Sequence, residues 1–337
     1  MPQEDVFGAR SSEPRKAQKG CCGFFAKKKP KFQQTLVILR HSERADYVDP
    51  NWVSTEEGKK WRHDAPLTDR GHQLASEVAR ELAELHKEVN FTAIASSPYR
   101  RCLETAACVA HALKLPVVLD QEIGEIWDKN MPQEPRPFRS NLELVEMAKS
   151  LKLKLLNPTL EDGGVKLFGK PPKYPESLDS AKARYIVRIE TYINQSAATE
   201  RNFVVVTHAD AVVAALQMFE RGNAEVEDID FCARLIAKRT VTPQQEDAQQ
   251  PVFADHWKIE CRALKENIMK PDAKMEKYYE KLHIENVEEK EALAVQRKAA
   301  RTKTDAMFSE SLRKFAAESD EEDDEDEEDA TKGGTRA

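Results

Sequence analysis

At 337 residues the chain has the length of one large domain or two ordinary ones. With 40% hydrophobic and 33% charged residues, it can build a core beneath a heavily charged surface. The formal net charge of -7 comes from one segment, Glu318 to Asp329, where every position except Ser319 is acidic. Without it Lys and Arg are in slight excess, a balance suited to an anionic substrate; nucleic acid is not an expected partner. Six cysteines are scattered with no C-x-x-C pair and no Cys/His cluster at zinc spacing. Neither a structural metal site nor a disulfide scaffold is expected, and a reducing compartment is. No apolar run reaches ~18 residues, and no apolar signal core opens the chain. A cytoplasmic protein is expected.

Residues 1–33 carry Arg10, Arg15, Lys16, Lys19, Lys27, Lys28, Lys29 and Lys31 among few large apolar groups, the composition of a disordered basic arm. Cys21 and Cys22 beside those lysines would suit reversible acylation reinforced by anionic lipid, a peripheral membrane contact through residues 21–31. A solvated tail with two idle thiols is the plainer alternative. Pro2 excludes ordinary N-myristoylation.

A folded domain is expected over residues 34–268. Thr35 to Leu39 is an apolar, partly β-branched run of the kind buried on both faces of a sheet. Thr68 suits a helix N-cap, and Leu74, Val78, Leu82, Leu85 and Val89 follow at spacings of three and four, one helical face. Ala93 to Ala95 is a second strand, Tyr99 to Leu113 a helix and Val117 to Leu119 a third strand. Residues 128–175, rich in Pro and Lys, read as a long insertion. Tyr185 to Ile193 is helical, Phe203 to Val206 a strand and Ala209 to Phe219 a helix. Phe231 to Arg239 and Val252 to Cys261 suggest a closing hairpin. Strands alternating with helices predict a mostly parallel sheet covered on both faces. Residues 269–316 read as a charged helical extension and 317–337 as a disordered acidic tail.

In such sheets ligands bind at the carboxyl ends of the strands. The first strand leads into Arg40-His41-Ser42-Glu43-Arg44 and the second into Ser96-Ser97-Pro98-Tyr99-Arg100-Arg101. The third leads to Glu122 and Glu125, and the fourth into Thr207-His208-Ala209-Asp210. Arginine forks hold phosphate oxygens at any working pH. A neutral imidazole can attack phosphorus, and adjacent arginines favour the neutral form by lowering its pKa. A carboxylic acid must then protonate the departing oxygen.

These segments resemble the histidine phosphatase superfamily, also called phosphoglycerate mutase-like. The opening motif is Arg40-His41-Ser42 and the second is Ser96-Ser97-Pro98-Tyr99-Arg100-Arg101-Cys102-Leu103-Glu104-Thr105-Ala106. Asp64 to Gly71, Pro175-Glu176-Ser177 followed by Arg184, and Val206-Thr207-His208-Ala209 match further stretches in the right order. Arg-His-x-Glu-Arg with Asp46 and Trp52 is most similar to the eukaryotic suppressor-of-T-cell-receptor-signalling phosphatases. The resemblance implies an α/β three-layer sandwich and a phosphomonoester hydrolase acting without metal or organic cofactor. Its substrate would be a phosphorylated small molecule or phosphoprotein. It implies His41 as nucleophile, and Arg40, Arg44, Arg101 and His208 as the phosphate pocket. Glu122 is the expected acid, by its place just after the third strand and two residues before Gly124; Glu125 is its rival. Within the second motif, register turns Arg101 inward and Arg100 outward.

Ser42 departs from the family's Gly, and its hydroxyl is expected to donate to a phosphate oxygen if its φ is negative. Two alternatives remain open: a catalytically dead scaffold, motivated by Ser42, and a phosphoglycerate-type mutase. No Cys is followed by Arg six residues on, so cysteine-phosphatase chemistry is not expected. Gly164 to Lys170 fits G-x-x-x-x-G-K, but Pro171 stands where a magnesium-holding hydroxyl is needed.

Overall fold

The computed structural model describes residues 31–134, 137–220, 224–241 and 257–268. Residues 1–30 of the arm, with Cys21 and Cys22, the charged extension and the acidic tail lie outside the described residues. All of these described residues fall within one compact unit.

The six strands are β1 (Phe32–Arg40), β2 (Phe91–Ser96), β3 (Val117–Leu119), β4 (Asn202–Thr207), β5 (Ala224–Val241) and β6 (Lys258–Ile268). They form one sheet ordered β3-β2-β4-β1-β5-β6. The first four run parallel, and β5 is antiparallel to both β1 and β6. Leu36 to Leu39 and Phe203 to Val206 are fully buried on both faces, so they appear in the sequence as unbroken apolar runs. β1 begins at Phe32, inside the expected arm, because its polar first half pairs with β5. Gln34 is buried there and donates to Ile193 O at 2.6 Å.

Among the described residues, seven α-helices accompany the sheet: α1 (Ala45–Val48), α2 (Glu56–Lys60), α3 (Asp69–Val89), α4 (Arg100–Leu113), α5 (Asn141–Ser150), α6 (Leu178–Thr199) and α7 (Ala209–Phe219). Side chains alternate across a strand. Val37, Leu39, Ile94, Val204 and Val206 pack against α3, α4 and Leu144 of α5. Leu36, Ile38 and Val205 therefore face the other layer, where α6 and α7 lie against β1, β4 and β5. The result is a mixed α/β fold with helices on both faces.

Thr68 caps α3 as expected, its Oγ1 accepting from Gly71 N at 2.8 Å. The buried side of α3 is Ala75, Val78, Ala79 and Leu82, with Leu74, Leu85 and Val89 half-buried beside it. The seam is shifted toward alanines because small side chains let α3 approach α4 closely. The insertion holds one helix, α5, opened by a capping box of Ser140 and Glu143. The rest is irregular and fastened to β3, with Asn157 bonded to Leu119 N and O at 2.6 and 2.9 Å. Gly164 to Lys170 sits in that irregular stretch. No helix among the described residues is long and apolar enough to cross a membrane.

Candidate active site

Parallel β1, β2, β3 and β4 all end at one edge, and the chain leaving each contributes to one pocket. Two of these exits run directly into helix N-termini, at Arg100 for α4 and Ala209 for α7, whose partial positive charge favours an anion there.

His41 follows β1 and is held by its own N–H to Thr207 O at 2.9 Å. Its Nδ1 lies 2.8 Å from Ser42 O. A carbonyl only accepts, so Nδ1 carries the hydrogen and Nε2 keeps its lone pair. Burial foremost, then Arg101 and His208, push the His41 pKa well below the ordinary 6.5. The lowered pKa favours the neutral imidazole, with Nε2 unprotonated.

The His208 ring stands 5.4 Å from the His41 ring. Its Nδ1 lies 3.1 Å from Glu125 Oε2, and its Nε2 lies 2.9 Å from Ser97 Oγ. Arg101 Nη2 donates to the same Glu125 oxygen at 3.0 Å, and Nη1 donates to His63 O at 3.0 Å. Burial would raise the Glu125 pKa, but His208 and then Arg101 outweigh it and hold the carboxyl well below its usual range. Burial, with Arg101 close by, outweighs Glu125 and lowers the His208 pKa. The resting pocket thus holds two neutral imidazoles, a guanidinium and a carboxylate. Asp64 completes the frame by accepting Arg100 N at 2.6 Å, so it caps α4 from outside the helix.

Arg101 is buried, and Arg100 turns outward to Glu104 and Glu57. Arg40 donates through Nη1 to Ile229 O at 2.7 Å and lies over the Phe231 ring at 4.5 Å. The Nε atoms of Arg40 and Arg101 are buried and find no acceptor on the protein. Buried donors are rarely left so. Arg44 stands at the rim, paired with Asp46 at 2.9 Å and about one-third exposed.

Two expectations need correction. Glu122 does not face the histidines. A tight 3-10 turn over Gln121–Ile123 directs it toward Arg188 Nη1 at 3.4 Å and Lys170 N at 3.3 Å. Glu125, three residues on, is the carboxylate beside His208. Ser42 has no positive φ, yet its hydroxyl is committed elsewhere. It donates to Gly71 O at 2.7 Å, while Ser42 N donates to Thr105 Oγ1 at 3.0 Å. Gly71 is itself needed for this approach, since a Cβ there would meet Glu43 O at 2.2 Å. Ser42 ties the loop that carries His41 to α3.

Phe231 had no assigned role. The pairing of β5 with β6 shifts register between Ile229 and Arg234, and Cys232 takes φ 58°. This bulge turns Phe231 toward the pocket, 6.1 Å from the His41 ring and 5.2 Å from exposed Tyr47. A left-handed cysteine carries no local sequence signal. Among the described residues, no group of three or more His, Cys, Asp or Glu is arranged to hold a metal.

Residues 36–134 match the family model of the histidine phosphatase superfamily (branch 1). The matched segment includes His41, Arg101 and Glu125. The chain is 35% identical over 91 residues to the transcription factor tau 55 kDa subunit of Saccharomyces cerevisiae, covering 27% of this chain and 20% of that protein. It is 42% identical over 69 residues to an uncharacterized phosphoglycerate mutase family protein of Acanthamoeba polyphaga mimivirus, covering 20% and 32%. It therefore spans no more than about a third of the length of these curated relatives. Among solved structures, the ecdysone phosphate phosphatase of Bombix mori in complex with tungstate aligns at TM-score 0.49 and 19% identity, over 65% of this chain and 95% of that one.

Ser42→Gly removes the hydroxyl donor to buried Gly71 O and frees the unfolded backbone. Stability should fall by about 1–3 kcal/mol, read as a lower urea midpoint. An unchanged midpoint would contradict the tie to α3.

Proposed function

We propose that the protein is a phosphomonoester hydrolase that works through a phosphohistidine on His41, akin to the suppressor-of-T-cell-receptor-signalling phosphatases. The observation that carries this reading is His41 with Nδ1 held to Ser42 O and Nε2 free, in a buried pocket with Arg40 and Arg101, opposite His208 and one carboxylate.

The guanidiniums and His208 bind the phosphoryl oxygens. Nε2 of His41 attacks phosphorus, a P–N bond forms and the bond to the leaving oxygen breaks. That oxygen needs a proton, and resting Glu125 is a carboxylate. A phosphomonoester has its second pKa at about 6, so its monoanion brings a proton into the pocket. Glu125 receives that proton, as Arg101 and His208 turn to the phosphate, and passes it to the leaving oxygen. A water then attacks the phosphohistidine, Glu125 takes the water's proton, the P–N bond breaks and inorganic phosphate departs. The scaffold alternative was motivated by Ser42, and its ordinary φ and bond to Gly71 weaken that motive.

Brief reaction with labelled phosphomonoester should leave an acid-labile, base-stable phosphoenzyme in the wild type and none in His41→Ala. If the variant kept more than about a tenth of the hydrolysis, an effect of only ~1.4 kcal/mol, the nucleophile assignment would fail. Glu125→Gln should lower kcat by ~10²–10⁴. Glu122→Gln, facing Arg188, should stay within about threefold, or ~0.7 kcal/mol. The opposite ranking in side-by-side kinetics would return the acid role to Glu122.

A further inference from the structure

We propose that a cleft beside Glu125, walled by Tyr99, Phe138, leucines and prolines with Gln121 and Asn141 among them, is the leaving-group site, and that it selects phosphomonoesters of uncharged, largely apolar alcohols or phenols over phosphorylated sugar acids. The inference rests on the hydrolase reading with Glu125 as the acid. An acid must stand beside the oxygen it protonates, so whatever is bonded to that oxygen extends on Glu125's side of the phosphate. A cavity of about 210 Å³ lies there, and Glu125 and Tyr99 belong to its wall. Tyr99 also touches the catalytic group, its ring 5.3 Å from that of His208. Cleft and phosphate pocket are thus joined through two shared side chains.

The outer wall comes from the insertion, whose role the sequence left open. Phe138 meets Tyr99 edge-on at 6.0 Å and Trp127 at 5.0 Å. Leu144, Leu167 and Pro171 continue the apolar lining. At ~30 Å³ per liquid water, the cavity equals about seven waters, room for an aromatic ring or a short branched chain.

Charge decides against an acidic leaving group. Arg139 is the one cation among the described lining residues. Its Nε donates to buried Asp64 Oδ2 at 2.6 Å, and its guanidinium lies 4.4 Å over Trp61. With Asp64 matching Arg139, and Glu125 also in the wall, a carboxylate on the substrate would enter without a counter-charge, which is strongly unfavourable in a buried site. Arg139 Nη2 is buried without a hydrogen-bond acceptor, so it can still donate to one neutral oxygen. A few placed polar groups in an apolar cleft is the usual form of a small-molecule site. A phosphoglycerate mutase would need the reverse, a free cation for the substrate's carboxylate.

The test compares benzyl phosphate, glycerol 1-phosphate and 3-phosphoglycerate on the full chain; all three are primary alkyl phosphates, so their leaving oxygens are alike. The wild type should favour benzyl over glycerol phosphate at least tenfold in kcat/KM, and over phosphoglycerate at least a hundredfold. Phe138→Ala should lower the benzyl-to-glycerol ratio at least fivefold. Pro171→Lys, at an exposed edge of the lining that tolerates substitution, should raise the relative rate on phosphoglycerate. Preference of the wild type for glycerol phosphate or phosphoglycerate, or ratios unmoved by both variants, overturns the cleft proposal and leaves the hydrolase reading standing. No turnover of any of the three overturns both.

Discussion

One carboxylate oxygen, Glu125 Oε2, receives Arg101 Nη2 at 3.0 Å and sits 3.1 Å from His208 Nδ1. Arg101 is about 1% exposed, and a buried guanidinium without a partner would be strongly destabilising. Glu125 makes that burial tolerable. Once in place, Arg101 helps keep both imidazoles neutral, which is the state a nitrogen nucleophile requires. The arrangement is also responsive. In the proposed reaction an arriving phosphate would compete with Glu125 for Arg101 and His208, so the carboxylate would lose its stabilising partners just when a proton must be carried.

Much of the surrounding structure holds that carboxylate in place. Arg184 donates to Glu122 O and Gly124 O at 2.7 and 3.2 Å, and Tyr185 OH donates to Gly124 O at 2.8 Å. Thr207 Oγ1 donates to Ile123 O at 2.6 Å. Arg184 is in turn clamped through two nitrogens by Glu176 at 2.7 Å. The turn after β3 is therefore fastened from α6 and β4 together, and Glu125 leaves it toward His208. These contacts are backbone-directed, so they fix geometry without adding charge to the pocket. On the opposite wall, the β5 bulge brings Phe231 over Arg40.

The parts legible in the sequence are those governed by periodicity and burial. Strands buried on both faces show as apolar runs, and α7 has the bounds its pattern suggests. Arg101 turns inward because the register of α4 leaves one of two adjacent arginines facing the sheet edge. What was hidden depends on single-residue geometry. Glu122 and Glu125 are chemically alike and three residues apart, and only the tight turn at Gln121–Ile123 sends them to different partners. Ser42 could aim its hydroxyl at the pocket or at α3, and the choice follows from Gly71 approaching it, a tertiary contact. Phe231 reaches the site through a left-handed Cys232, which no propensity announces. The start of β1 was masked by Gln33 and Gln34, whose side chains find distant partners, Thr240 and Arg239 on β5 and Ile193 O on α6.

The chemistry depends most on His41 being neutral, with hydrogen on Nδ1 and the lone pair on Nε2. Nitrogen-15 NMR of the full chain reports both tautomer and charge directly. From about pH 7.5 down to about 5.5, the range where an ordinary histidine titrates, the His41 ring should remain neutral and Nδ1-protonated, because its lowered pKa places protonation below that window. A titration centred near 6.5, or a hydrogen on Nε2, would contradict the account.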